Sequence, residues 1–195
     1  MPRQPEFNRE TVVLQAMSVF WERGYGKTSI GDLVNATGLQ PGSLYAAFGN
    51  KKGLFLEVIE QYNRRFLADI HVLTAEDKPA LECIRGLLEQ IVEERLTGGN
   101  DRGCLTVSAL LEMSQHDQDI ADRLCEHNKL LLKAFSGLIE KARREGTVAT
   151  AQSPQALAAF LMNNIWGMRV MCRSKPERSG LEAVVTGVMA ALGSR

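Results

Sequence analysis

Apolar residues recur at three- and four-residue spacing along most of the chain, and this periodicity predicts helices. The first periodic stretch runs from about Asn8 to Arg23 and ends before Gly24, a residue type that often follows the last turn of a helix. The sequence contains no stretch with the two-residue alternation of a strand. The pattern therefore predicts an all-α chain.

A short helical hairpin is predicted over residues 28–52. Ser29 stands just before an apolar stretch with Asp32 three residues further on, which is the spacing of a capping box. Gly38 follows the last periodic residue and can end this helix in a left-handed conformation. Pro41 suits the first position of the next helix, because its φ angle is fixed and its missing N–H is not needed there. The order helix, turn, helix is typical of a DNA reader.

The second helix of this hairpin is expected to have one buried face and one small polar face. Leu44 and Phe48 lie four residues apart and should point inward. The outward positions carry short hydrogen-bonding groups that suit base edges, and Lys51 and Lys52 follow with charges for phosphate oxygens. The expected DNA-facing positions are Gln40, Gly42, Ser43 and Tyr45. The spacing alone is equally compatible with a purely structural hairpin.

Helical periodicity continues to the end of the chain, interrupted by polar, glycine and proline residues. Further helices are expected over about residues 52–74, 79–97 and 103–113, from a polar break at 115–119 to residue 146, from 154, and over 181–192. The last two have wide apolar surfaces and small residues that permit close helix approach. An isologous helix pair from each of two protomers explains this surface, with an intramolecular core as the alternative.

Three N-terminal segments together form a family pattern. They are Val13 to Tyr25, Thr28 to Ile30, and Gly38 to Phe48 followed by Lys51. This pattern resembles the N-terminal domain of the TetR (tetracycline-repressor-like) family. Carried over by position, the resemblance implies phosphate contacts by Thr28 and Lys51 and a DNA-backbone contact by Tyr45. It implies groove positions for Gln40, Gly42 and Ser43. Many family members have Ser or Thr where this chain has Gln40.

The resemblance also implies two domains. Residues 1–52 would form a three-helix DNA-binding domain with a helix-turn-helix, and residues 53–195 a helical bundle for ligand sensing and dimerisation. TetR-like proteins dimerise through a four-helix arrangement, which spaces two recognition helices for a palindromic operator. The expected partners are double-stranded operator DNA, a second copy of the chain and a small-molecule effector.

An effector cavity is expected within the C-terminal helices, because family members hold one there. The chain offers deformable and polarisable side chains for its lining, together with an uncharged amide. These residues are Met113, Phe135, Met162, Asn163 and Trp166. Residues of these apolar types belong to an ordinary core more often than to a pocket.

Cys104 suggests an alternative mode of sensing. It stands at the expected start of a helix, two residues after Arg102, and both the helix dipole and a nearby cation favour the thiolate. The surrounding Gly-Cys-Leu-Thr-Val sequence is similar to that of a TetR subgroup with a cysteine at the start of the sixth helix, in which some members sense electrophiles or oxidants. The alternative is a small buried thiol at a crowded helix start.

The composition limits the possible functions but does not indicate a particular binding partner. The 195 residues include 23 basic and 23 acidic side chains, so nucleic-acid binding would require local charge. Up to Lys52, six basic residues stand against four acidic ones. No signal-peptide run and no membrane-spanning stretch is visible, and the four cysteines lack the spacing of a metal or redox pair. A cytoplasmic location with reduced thiols is expected.

The motifs of common enzyme classes are absent from the sequence, including Gly-x-Ser-x-Gly and His-Glu-x-x-His. We therefore expect neither an enzyme nor a cofactor or metal site. The resemblance implies a TetR-like repressor that a small-molecule ligand releases from a palindromic operator. The alternatives are a redox or electrophile sensor acting through Cys104 and a helical dimerisation protein that does not bind DNA.

Overall fold

A computed structural model describes residues 7–75, 77–97 and 102–193, and within these residues all regular secondary structure is helical. The elements are α1 (Arg9–Arg23), α2 (Ile30–Thr37), α3 (Pro41–Phe48), α4 (Lys51–Ala75), α5 (Ala80–Leu96), α6 (Leu105–Met113), α7 (Gln118–Arg144), α8 (Pro154–Met171), a 3-10 turn (Cys172–Ser174) and α9 (Arg178–Ala191). The predicted all-α fold is confirmed.

The ends of α2 form as their sequence predicts. The Ser29 hydroxyl accepts from the backbone N–H of Asp32 at 3.1 Å, and the Asp32 carboxylate accepts from the backbone N–H of Ser29 at 2.9 Å. This capping box satisfies N–H groups that would otherwise lack partners at the start of α2. At the other end, Gly38 adopts a left-handed conformation with φ 68°. Local sequence therefore sets both ends of α2.

The start of α3 depends on Pro41 rather than on a side-chain cap. Gln40 occupies the cap position in an extended conformation, and its side chain makes no capping hydrogen bond. Pro41 provides a first helical residue that needs no N–H partner. Leu44 and Phe48 are 1% and 6% exposed, as their spacing predicts. The Gln40 departure from the family pattern thus leaves α3 without that cap.

Two boundaries differ from the sequence prediction. The polar break expected to last until Asp119 ends earlier, because Asp117 accepts from the backbone N–H groups of Asp119 and Ile120 and thereby caps α7. The last helix begins at Arg178 rather than Leu181. Its first turn is exposed and lacks apolar residues, so apolar spacing did not indicate it.

The first of two compact units holds the described residues up to Arg65 together with Leu105–Cys125. Its core combines α1, α2 and α3 with the first part of α4, with α6 and with the start of α7. Phe20 and Phe55 lie at its centre with ring centroids 4.8 Å apart. The predicted boundary after residue 52, between a DNA-binding domain and an effector-binding domain, stays a prediction.

The second unit holds the described residues of Phe66–Cys104 and Glu126–Arg195. Its core is formed by α5, α8, α9 and the remainder of α4 and α7. Phe135, Leu88 and Leu161 are completely buried there. Among residues 7–75, 77–97 and 102–193, no helix is long and apolar enough to cross a membrane.

Candidate nucleic-acid interface

The residues expected to meet DNA lie on the exposed surface of α3 and at its cap position. Leu44 and Phe48 point inward and belong to the first core. The exposed positions of this segment include Gln40, Gly42, Ser43 and Tyr45, together with Pro41 and Ala46. Tyr45 is 46% exposed, which is high for a large aromatic side chain. The structure exposes all four of the expected residues, and their contact with DNA stays a prediction.

Gly42 is not required by the packing of the first unit. A Cβ atom at Gly42 would meet no atom within 4 Å. Glycine at an exposed helical position costs about 1 kcal/mol of helix stability relative to alanine. Bare backbone at this place instead suits the close approach of an external partner to α3.

Arg9 fixes the end of α3, a role that residue spacing did not indicate. Its Nη1 donates to the carbonyl of Ala47 at 2.9 Å, and its Nε donates to Glu57 at 2.9 Å. Its third nitrogen, Nη2, donates to the other carboxylate oxygen of Glu57. The guanidinium carbon also lies 4.3 Å from the centroid of the Phe48 ring, in a cation–π arrangement. One side chain therefore ties the start of α1 to the last turn of α3 and to α4.

Thr28 and Lys51, expected to contact phosphates, lie next to each other. The Thr28 hydroxyl donates to the Gly24 carbonyl at 2.6 Å, and the residue is 1% exposed. The Lys51 ammonium donates to the carbonyls of Tyr25 and Thr28, both at 2.9 Å, and lies 4.3 Å from the Tyr25 ring centroid. These groups hold the loop between α1 and α2 together. Their contact with phosphate stays a prediction.

Lys52 is held by two carboxylates from the junction of α6 and α7. Its Nζ lies 2.5 Å from Asp119 and 2.9 Å from Asp117. The hydrogen bonds to Asp119 and Asp117 raise the pKa of Lys52 above its ordinary value. The hydrogen bond from Lys52 in turn lowers the pKa of Asp117. Any phosphate contact of Lys52 therefore competes with two carboxylates.

Glu112 on α6 supports the same loop from another side. Its carboxylate accepts from the backbone N–H of Tyr25 at 2.9 Å and from that of Gly26 at 2.5 Å. A Cβ atom at Gly26 would lie 2.9 Å from this carboxylate, so glycine permits the approach. Sequence reasoning missed Glu112, because nothing in its neighbourhood indicates a partner so far away along the chain.

The residues expected to line an effector cavity occupy different surroundings. Phe135 and Met162 belong to the second core, and Trp166 packs against it while partly buried. Met113 belongs to the first core, and Asn163 is exposed. Phe135, Met162 and Trp166 thus share one cluster. Their role in effector binding stays a prediction.

A buried polar pair in the first unit was not anticipated. The Thr106 hydroxyl donates to Asn63 Oδ1 at 2.7 Å, and the two residues are 2% and 3% exposed. The Asn63 Nδ2 atom is buried without a hydrogen-bond partner in the described part of the chain. Buried amides usually have their donors satisfied, so this one marks an unusual polar position between α4 and α6.

Cys104 immediately precedes α6 and is 4% exposed. The neighbouring Gly103 packs closely against Arg173, since a Cβ atom at Gly103 would lie 3.0 Å from the Arg173 Cδ. The four cysteines lie in the described residues, and none of them forms a disulfide. Within those residues no group of three His, Cys, Asp or Glu side chains could hold a metal ion.

Both parts of the chain match known families. A family model described as "Bacterial regulatory proteins, tetR family" matches residues 13–58. Another, described as "Tetracyclin repressor-like, C-terminal domain", matches residues 80–188. The HTH-type transcriptional repressor ComR of Escherichia coli (strain K12) is 30% identical over 172 residues, which cover 88% of this chain and 82% of ComR.

Solved structures extend this similarity to the full fold. A cysteine mutant of the TetR family transcriptional regulator CifR, complexed with 26-base-pair double-strand operator DNA, has a TM-score of 0.83 and 31% identity to this chain. The match covers 97% of this chain and 99% of the CifR chain. The reduced form of Escherichia coli NemR has a TM-score of 0.84 at 18% identity, covering 92% of this chain and 94% of NemR, and shares the fold.

Proposed function

Because the chain belongs to the tetR family of bacterial regulatory proteins, we propose that it is a transcriptional repressor that binds a palindromic operator and leaves it when a small-molecule effector binds. The exposed surface of α3 is the observation that carries the proposal, since it offers hydrogen-bonding groups and a bare backbone that the core does not use. ComR is named a repressor, and the CifR mutant is bound to operator DNA.

DNA reading is divided between two groups of residues in this proposal. Gln40 and Ser43 carry the short donors and acceptors that distinguish base edges in a major groove. Tyr45, Lys51 and Lys52 position the protein on the phosphate backbone, together with the loop around Thr28. The anchoring of α3 by Arg9 supports this arrangement, because base readout requires a fixed recognition helix.

In this proposal two chains dimerise through α8 and α9. The dimer provides a second recognition helix for the other half of the palindromic operator. The exposed face of α8 is mainly apolar or small, and α9 exposes small residues. On α8 this face comprises Ala156, Phe160, Asn163, Gly167 and Met171, and on α9 it comprises Ala183, Gly187 and Ala190. Phe160 and Met171 are each 38% exposed. Two copies of this face, related by a twofold axis, would bury it.

Effector binding is assigned to residues 53–195, with residues 1–52 as the DNA-binding domain. The proposed lining includes Phe135, Met162 and Trp166, which share the second core cluster. Aromatic and thioether side chains adapt to apolar ligands. An effector releases DNA only if it favours the conformation that binds the operator less well.

A second candidate signal is oxidation or alkylation of Cys104. The observation that favours it is the position of the thiol immediately before α6, next to Gly103, against which the aliphatic part of the Arg173 side chain packs.

Selection of bound sequences from random double-stranded DNA tests the main proposal. We expect a palindromic consensus and an affinity that falls linearly on a log–log plot between about 50 and 200 mM salt. Gln40→Ala and Ser43→Ala should relax base preference within each half-site, whereas the exposed Ser179→Ala on α9 should not. Absence of sequence-selective binding at low salt would reject the proposal.

A further inference from the structure

We propose that Asp117 and Asp119 form an autoinhibitory contact, in which their carboxylates hold the Lys52 ammonium that would otherwise bind a DNA phosphate. The inference rests on the proposed DNA-binding function. Beyond that function, it proposes that carboxylates of the protein compete with a DNA phosphate for the Lys52 ammonium.

The geometry indicates that the two carboxylates take the place of a phosphate. The Lys52 Nζ lies 2.9 Å from Asp117 Oδ1 and 2.5 Å from Asp119 Oδ2, so oxygens from two side chains surround one ammonium. A DNA phosphodiester would offer the same cation two non-bridging oxygens that share one negative charge. An ammonium has three N–H donors, and the two carboxylates engage two of them, so the acidic pair and the DNA compete for the same cation.

The contact is accessible enough for DNA to compete. The Lys52 side chain is 29% exposed and that of Asp119 is 72% exposed. Ion pairs with such exposure contribute little to stability, because water and salt screen them. Breaking the pair is therefore feasible during DNA binding, while leaving it intact removes one positive charge per chain from the interface.

Asp117 connects this competition to the start of α7. Besides contacting Lys52, its Oδ1 accepts from the backbone N–H of Asp119 at 3.1 Å and from that of Ile120 at 3.3 Å. The side chain that holds the ammonium is thus the cap of α7. A shift of the first turn of α7 would change both carboxylate positions together, so a conformational change there would alter the charge offered to DNA.

The combined variant Asp117→Asn with Asp119→Asn tests the proposal in the full-length protein. Asparagine removes the charge but remains a good helix cap, so α7 should still form. We expect operator affinity to rise about three- to tenfold, and the slope of log affinity against log salt to steepen by about 0.9 per protomer. Circular dichroism and urea unfolding would verify that the variant folds as the parent does.

The decisive comparison repeats the two asparagine substitutions in a protein that also carries Lys52→Gln. If the carboxylates act through Lys52, the two asparagine substitutions should change affinity only when Lys52 is present. An equal rise in the Lys52→Gln background would mean general repulsion between acidic residues and DNA, and would overturn the proposal. An unchanged or lower affinity in the parent background would overturn it as well.

Asp122→Asn is the matched control for Asp119→Asn, since Asp122 is exposed one turn further along α7 and bonds to Gln118 instead of a lysine. Asp122→Asn should leave operator affinity nearly unchanged. An equal effect from Asp119→Asn alone and from Asp122→Asn would also contradict the proposal.

The failure of the proposed function would give a different result. In that case no variant, including the parent, would bind selected DNA in preference to random DNA.

Discussion

The carboxylate of Glu112 accepts a hydrogen bond from the backbone N–H of Tyr25, although the two residues are 87 positions apart in sequence. The same carboxylate accepts from the next residue, Gly26. The loop that joins α1 to α2 therefore has its conformation determined partly by α6, a helix that the sequence assigns to another part of the protein.

Replacement of Glu112 by Gln should weaken operator binding and lower the free energy of unfolding by about 1–3 kcal/mol. Gln retains one acceptor but presents an amide N–H to a backbone N–H, so at least one hydrogen bond is lost. Anisotropy titrations and urea unfolding would measure the two effects. Glu126→Gln, at an exposed position of α7, serves as the control and should change neither quantity.

Replacement of Gly42 by Ala should separate stability from DNA binding. The methyl group meets no atom within 4 Å, and alanine favours the helix by up to about 1 kcal/mol. We expect an unchanged or higher unfolding free energy together with operator affinity at least several-fold lower, because the methyl group would meet the DNA. Gly86→Ala, at an exposed position of α5, should stabilise the protein without affecting DNA binding. Full affinity in Gly42→Ala would contradict a groove contact.

Acid should destabilise the protein through His127. The residue is 6% exposed, and its burial lowers the pKa from 6.5 to about 4. Between these values the unfolded chain binds more protons than the native one, so stability falls as the pH decreases through this range. The loss at about pH 5 should be about 2 kcal/mol relative to pH 8.

Urea unfolding at both pH values checks this prediction. His127→Gln should lose the pH-dependent part, whereas His71→Gln, which alters an exposed histidine, should retain it. The same pH dependence in His127→Gln and the parent would show that other groups cause it.

Phe160→Glu should prevent self-association. The side chain is exposed in a single chain, and the proposed dimer would bury it on α8, where an added carboxylate lacks a partner. Light scattering should then give a mass near the 21.6 kDa of one chain, against a dimer for the parent. Leu130→Glu, at an exposed apolar position on α7, should remain dimeric. A monomeric parent at micromolar concentration would refute the dimer.

Cys104→Ser separates the two candidate signals. If the thiol senses electrophiles, an alkylating reagent should release the parent from operator DNA but leave the serine variant bound. Cys125→Ser is the control, since it removes the exposed cysteine and should keep the response. Release of Cys104→Ser by the same reagent would exclude Cys104 as the sensor.

Local features of the fold were predictable because they depend on neighbours in sequence. The capping box of Ser29 and Asp32 spans three residues, and Gly38 ends α2 through its own conformation. The inward direction of Leu44 and Phe48 follows from their spacing within one helix. For the same reason the start of α9 was missed, since its first turn has no apolar residue to reveal it.

By itself, the sequence determined an all-α chain, the helix-turn-helix segment and the small polar group on α3, because each follows from helical period, caps and glycine placement. Only the tertiary structure decided that Arg9 anchors α3, that Glu112 supports the loop after α1, and that Lys52 is held by Asp117 and Asp119. These pairs are separated by 38 to 87 positions. A charged side chain can satisfy its hydrogen bonds with many partners, and the packing of apolar faces selects which of them comes within reach.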